Sequence, residues 1–138
     1  MLACQGDRVV QLLCSQPITW HAHLGHGLAL EMDAVVLCMP HYAQGDLFSF
    51  YSRSMPAVPV NERAALTLSH ALMLVEAVAH VHSRGFLHRD IKPENCFLHD
   101  DKLFLGDFGY ACQESAAKDE GCEGTLIYMA PEVAQMHP

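Results

Sequence analysis

The stretch from Arg63 to Ser83 contains neither proline nor glycine, and Leu68, Leu72, Val75, Ala79 and His82 recur along it at i, i+4, i+7 spacing. Leu66, Met73 and Val78 widen that stripe. The pattern predicts a long helix beginning near Asn61 and buried on much of its circumference, so the chain must supply or find other elements to cover it. Gly85 ends the helix through its tolerance of a left-handed cap, and FLHRD leads into a loop. The octapeptide HRDIKPEN, His88 to Asn95, then places a candidate base (Asp90), a cation (Lys92) and a metal-ligand amide (Asn95) within a few residues.

Shorter signals lie on either side. VVQLL (Val9 to Leu13) and AVVLCM (Ala34 to Met39) are β-prone apolar runs that read as two strands. The connection between them carries Pro17, Gly25 and Gly27 and is polar in its first half, so residues 15–33 are expected to be an inserted surface loop. Asp46 can cap a short helix, and Pro56 and Pro59 punctuate the chain before the long one. CFLH and KLFLGD, split by Asp100 and Asp101, read as a hairpin that delivers Asp107 to the mouth of a cleft. Residues 110–124 are small, polar and charged, and read as a mobile loop.

Composition narrows the class. With 51% apolar residues the 138-residue chain can build one compact core, while a formal charge of −8 opposes non-specific attraction to nucleic acid or anionic lipid. Six scattered cysteines without a Cys-x-x-Cys pair, and no signal peptide, fit reduced thiols in a cytoplasmic or nuclear protein. Ser69, His70, Glu76 and His80 interrupt the best candidate for a membrane span, and no repeat or low-complexity tract is present.

HRDIKPEN, then DFG (Asp107 to Gly109), then GTLIYMAPE (Gly124 to Glu132), in that order and behind the expected helix, resemble the signature set of eukaryotic protein kinases. AVVLCMPHYAQGDLF resembles the fifth strand, hinge and following helix of such a domain, and VVQLL its fourth strand. The resemblance implies an α+β, protein-kinase-like but truncated fold. Residues 1–39 would be a small-lobe remnant, 40–45 the hinge, and 46–138 the first part of the mainly helical large lobe.

What the resemblance implies about chemistry is phosphoryl transfer from ATP with Mg²⁺ to a protein Ser or Thr hydroxyl, a reaction that depends on positioning and charge neutralisation. Asp90 would be the base, Lys92 would meet the γ-phosphate, and Asn95 and Asp107 would hold Mg²⁺ through hard oxygen donors. The Lys-Pro-Glu pattern after Asp90, and Thr125 as a contact of Asp90 and Lys92, favour serine/threonine specificity. Arg89 resembles the arginine of kinases ordered by activation-loop phosphorylation, with Ser115 and Thr125 as candidate sites. Met39 would be the gatekeeper, Pro40 and Tyr42 would offer backbone groups to adenine, Leu47 and Phe97 an apolar floor, and Asp46 a contact to ribose.

Parts of the family pattern are missing from this text. The only lysines are Lys92, Lys102 and Lys118, so none precedes the catalytic loop, and GHGLAL (Gly25 to Leu30) lacks the third glycine of a phosphate-covering loop. The isolated chain is therefore expected to show little turnover and to expose an apolar helix face, and an inactive, pseudokinase-like interaction module is the alternative. His21, His23 and His26 offer imidazoles to a transition metal but lack a clear fourth ligand. Oligomeric state is not legible here.

Overall fold

The computed structural model describes residue 4 and residues 6–24, 28–117 and 123–135. They fall into two compact units, residues 11–41 and the remainder of the chain.

The first unit is one antiparallel hairpin, β1 (Cys14–Leu24) and β2 (Leu28–Cys38), in uninterrupted register from Cys14 opposite Cys38 to Leu24 opposite Leu28. This corrects the expectation that residues 15–33 form a loop. Their polarity does not oppose pairing, because a two-stranded ribbon needs no apolar side; among the described side chains Met32, Val35, Val36 and Leu37 are exposed. Pro17 is tolerated since each strand has a free edge, and Thr19 donates to the opposed Asp33 carboxylate at 3.3 Å. The strand expected at Val9 to Leu13 reduces to a bridge in the other unit. There Val9 lies parallel to Leu105, with Val10 N–H donating to Leu105 at 2.9 Å and Leu105 N–H to Arg8 at 2.8 Å.

In the second unit Asp46 caps α1 (Leu47–Ser49), which runs into a wide π-helical turn (Phe50–Ser54) and a 3₁₀ turn (Met55–Ala57). The long helix α2 (Val60–Ser83) follows, its first turn pinned by Arg63, which donates to the carbonyls of Val58 and Pro56 at 3.0 and 2.9 Å. It stops as expected at Gly85, whose φ of 74° is the left-handed value a side chain resists. The short strand β3 (Phe86–Leu87) pairs with β6 (Cys112–Gln113), and between them lies the hairpin β4 (Cys96–His99) and β5 (Lys102–Leu105). Asp100 and Asp101 turn that hairpin with φ of 48° and 57°, the geometry of a tight primed turn. A last short helix, α3, spans Pro131–Ala134.

The core packs Ala77 and Val81 of α2 against Cys96, Leu98, Leu103 and Leu105 of the hairpin, closed by Cys4 and Val9. Met73, Leu74, Val78, Phe86 and Phe108 fill its margins. The apolar face singled out in the sequence is thus only partly the packed one: Met73 and Val78, which widened it, lie against the core, but Leu68, Leu72 and Val75 on its main stripe are 61%, 56% and 64% exposed, and the packed stripe runs through His70, Met73, Ala77 and Val81. A helix apolar on nearly all sides gives periodicity no means of choosing. By length and composition alone α2 is long and apolar enough to cross a membrane, and one side of it packs on β5 while most of it is exposed.

His70 is buried where α2 meets the irregular turns, its ring edge-on to Phe50 and Tyr51 and its Nδ1 3.3 Å from the Tyr51 hydroxyl. Burial lowers its pKa below the ordinary 6.5, opposed by the charge of Asp101.

Candidate active site

The octapeptide forms one turn of loop between β3 and β4, ending in a 3₁₀ turn at Pro93–Asn95. Asp90 is 3% exposed and is the acceptor at the centre of a network. Thr125 Oγ1 donates to its Oδ1 at 2.6 Å; Lys92 Nζ reaches its Oδ2 at 2.8 Å, and Asn95 Nδ2 donates to the same oxygen at 3.0 Å and to the Asp90 carbonyl at 2.8 Å. Lys92 Nζ also donates to Thr125 Oγ1 at 2.8 Å, closing a triangle of three side chains.

Burial alone would raise the Asp90 pKa. The hydrogen bonds from Lys92, Thr125 and Asn95 outweigh it and hold the carboxyl below its usual range. The same contact with Asp90 raises Lys92, so the pair stays carboxylate and ammonium at neutral pH.

His88, 2% exposed, was quoted in the sequence motif without a role, and the structure supplies one. Its Nε2–H donates to the Gly106 carbonyl at 2.8 Å while Nδ1 accepts from the Asp90 amide at 3.3 Å, and its ring meets Phe108 edge-on at 4.7 Å. With one ring nitrogen donating and the other accepting, the imidazole is neutral, and burial lowers its pKa against the opposing influence of the Gly106 carbonyl, Asp90 and Asp107. It ties the catalytic-type loop to the segment bearing Asp107, as does Gly106 N–H donating to the Asn95 carbonyl at 2.8 Å.

Both buried histidines have folded pKa values below the unfolded one, so the stability they contribute is complete above about pH 6.5 and is lost as pH falls through their depressed values. Urea midpoints measured from pH 8 to 5 are therefore expected to be flat above 6.5 and to decline below it. A midpoint that rises on acidification contradicts the neutral assignment.

Asp107 follows β5 at a φ of 56°, exposed, with Oδ1 accepting from Gly109 N–H at 3.3 Å. Its charge bears on Lys92 and on His88. Arg89, also at positive φ (66°), donates from Nε to the Tyr110 carbonyl at 2.6 Å and so holds the start of the loop expected to be mobile. Gly124 was overlooked as well: it has a φ of 126°, and a Cβ there would run into the Arg89 carbonyl oxygen. No feature of one sequence distinguishes this glycine from a flexible one.

Thr125 has its hydroxyl hydrogen on Asp90 and a lone pair on Lys92, which suits a positioning group better than a phosphate acceptor. Thr125→Val is expected to lower stability by about 1.5–3 kcal/mol, the range for a hydrogen bond to a charged group. Thr125→Ser should keep the urea midpoint near that of the parent; equal midpoints for all three chains would show that the bond contributes nothing. Ser115 sits exposed in the 3₁₀ turn Glu114–Ala116.

The residues expected around adenine are only partly brought together. Tyr42 lays its ring on Phe104 and Phe97, at 5.1 and 5.7 Å between centroids, and Leu47 packs on the core margin. Both carboxylate oxygens of Asp46 accept from Ser49, through its N–H and Oγ at 2.8 Å each, and the backbone hydrogen bond keeps the Asp46 pKa low. Met39 is exposed and Pro40 half-buried just beyond β2. The side chains of His21 and His23, and all of His26, lie outside the described residues; among those described, no cluster of three His, Cys, Asp or Glu side chains could hold a metal.

A buried carboxylate locked to a lysine and a threonine, with an amide and a second carboxylate on adjoining loops, is the arrangement of a protein kinase catalytic loop. The protein kinase domain model matches residues 25–138, and the chain belongs to that family. Among its relatives, the negative regulator of sexual conjugation and meiosis of Schizosaccharomyces pombe is 37% identical over 109 residues, which are 78% of this chain and 22% of that protein. The serine/threonine-protein kinase US3 homolog of Gallid herpesvirus 2 is 37% identical over 111 residues, 77% of this chain and 26% of the viral protein. Serine/threonine-protein kinase 36 of Mus musculus is 33% identical over 123 residues, 86% and 9% of the two chains. The chain thus spans about a quarter or less of the length of these relatives.

Proposed function

We propose that this chain is the catalytic-loop portion of a serine/threonine protein kinase, and that its residues act on the transfer of the ATP γ-phosphate to a protein Ser or Thr hydroxyl. The observation that carries this reading is the buried Asp90 held ionised between Lys92, Thr125 and Asn95. In it Asp90 orients the acceptor hydroxyl and takes its proton, while Lys92 neutralises charge on the phosphoryl oxygens. Thr125, bonded to both, fixes their relative orientation.

The donor set fits Mg²⁺. Asn95 spends its Nδ2 on Asp90, which leaves its amide oxygen for a ligand, and the Asp107 carboxylate is exposed on the adjoining loop. Bound there, the metal would neutralise phosphate charge. Met39, Pro40, Tyr42, Leu47 and Phe97 are proposed to line the adenine side, with Asp46 reaching ribose only through lone pairs its helix cap does not use. Ser115 and Arg89 form the proposed regulatory pair, and a reducing compartment, cytoplasm or nucleus, fits described cysteines that are not in disulfides.

The test is transfer of labelled γ-phosphate from ATP to serine, threonine and tyrosine peptides by the endogenous polypeptide, with Mg²⁺ and with chelator. Label on serine or threonine that vanishes with chelator is expected. Nucleotide-independent partner capture without label under either condition would overturn the reading.

A further inference from the structure

Cys14 and Cys38 stand directly opposite each other at the open end of the β1–β2 hairpin, and both are exposed. Opposed residues of an antiparallel pair have Cα atoms about 4.5–5.5 Å apart, inside the roughly 4.4–6.8 Å that a disulfide spans. Their register is fixed by the whole ladder, so the two thiols are held at neighbouring positions. We propose that Cys14 and Cys38 form a reversible cross-strand disulfide by exchange with a low-molecular-weight disulfide of the glutathione type.

The other described cysteines do not compete. Cys4, Cys96 and Cys112 are buried, and burial together with Glu94 pushes the Cys96 thiol up to about 12 while its Sγ–H donates to the Lys92 carbonyl at 3.4 Å. The two hairpin thiols already interact, since a hydrogen bond with Cys38, and then its charge, raises the Cys14 pKa.

The exchange balances. Either thiol, once its proton passes to solvent, attacks one sulfur of the small disulfide, and the displaced half leaves as thiolate and is reprotonated. The second thiol loses its proton in the same way and attacks the protein sulfur of the mixed disulfide, expelling the other half. Two protein thiols are oxidised to one disulfide and one small disulfide is reduced to two thiols. The product closes the hairpin at its base, immediately before Met39 and Pro40, and an exposed bond there is of the labile kind.

The test equilibrates the full chain in mixtures of reduced and oxidised glutathione, blocks free thiols, and cleaves after Arg8, Glu31 and Arg53. Cys14 is then isolated in residues 9–31 and Cys38 in residues 32–53. The expected result is one dominant disulfide-linked pair of these two peptides, reversed by dithiothreitol and absent in Cys14→Ser, where Cys38 carries glutathione instead. In guanidinium the preference for this pair should be lost. Independent glutathionylation of both cysteines, linkage between chains, or the same distribution of pairs with and without denaturant would each overturn the proposal.

Discussion

Asp90→Asn is expected to reduce phosphoryl transfer by about 10²–10⁴-fold, the usual contribution of a positioned general base. The substituted amide retains the size of the carboxyl, but its NH₂ has to face either Thr125 or the pair Lys92 and Asn95, all of which donate to Asp90. The proton acceptor and the anchor of the network are lost together. Because the proposed contact is with the acceptor hydroxyl and not with nucleotide, kcat should fall while the KM for ATP stays within a few-fold. Measuring both constants for parent and variant polypeptide checks this. A variant that loses ATP affinity and keeps kcat would mean that Asp90 serves the nucleotide, and the assignment of the base would fail.

Leu105→Ala is expected to have the largest effect on folding, a loss of about 2–5 kcal/mol. Leu105 has no solvent exposure, is opposed by Cys96 on β4, and bonds residues 8–10 through both its N–H and its carbonyl. Truncation therefore opens a cavity where three segments meet, just before the Gly106 that approaches Val10 and Phe97 and receives the His88 hydrogen bond. A shift of the urea midpoint at constant m-value measures it. As a comparison, Leu72→Ala on the exposed stripe of α2 should move the midpoint little; an equal shift for the two variants would mean that the packed face of α2 is misassigned.

The proposed catalytic residues were reached through the kinase resemblance, whose motifs are local: Asp90, Lys92 and Asn95 lie within one loop, and Asp107 follows a hairpin whose turn residues announce it. Thr125 was reachable only through the family resemblance, since 35 residues separate it from Asp90. His88 and Gly124 stand in the quoted motifs, but their roles were not legible: a histidine that joins two loops through a backbone carbonyl and an amide, and a glycine kept small by a carbonyl from a distant loop, have no sequence period.

The same division holds for the fold. The sequence by itself determined the extent of α2, its glycine stop and the β4–β5 hairpin, because helix periodicity, a left-handed cap and a tight turn act over a few neighbouring residues. Which stripe of α2 is packed, that residues 14–38 pair as a ribbon with Cys14 against Cys38, and that Asp90 is held by Thr125 were decided only in the tertiary structure. Each depends on a partner far along the chain, and an apolar or polar residue carries no mark of which distant surface it will meet.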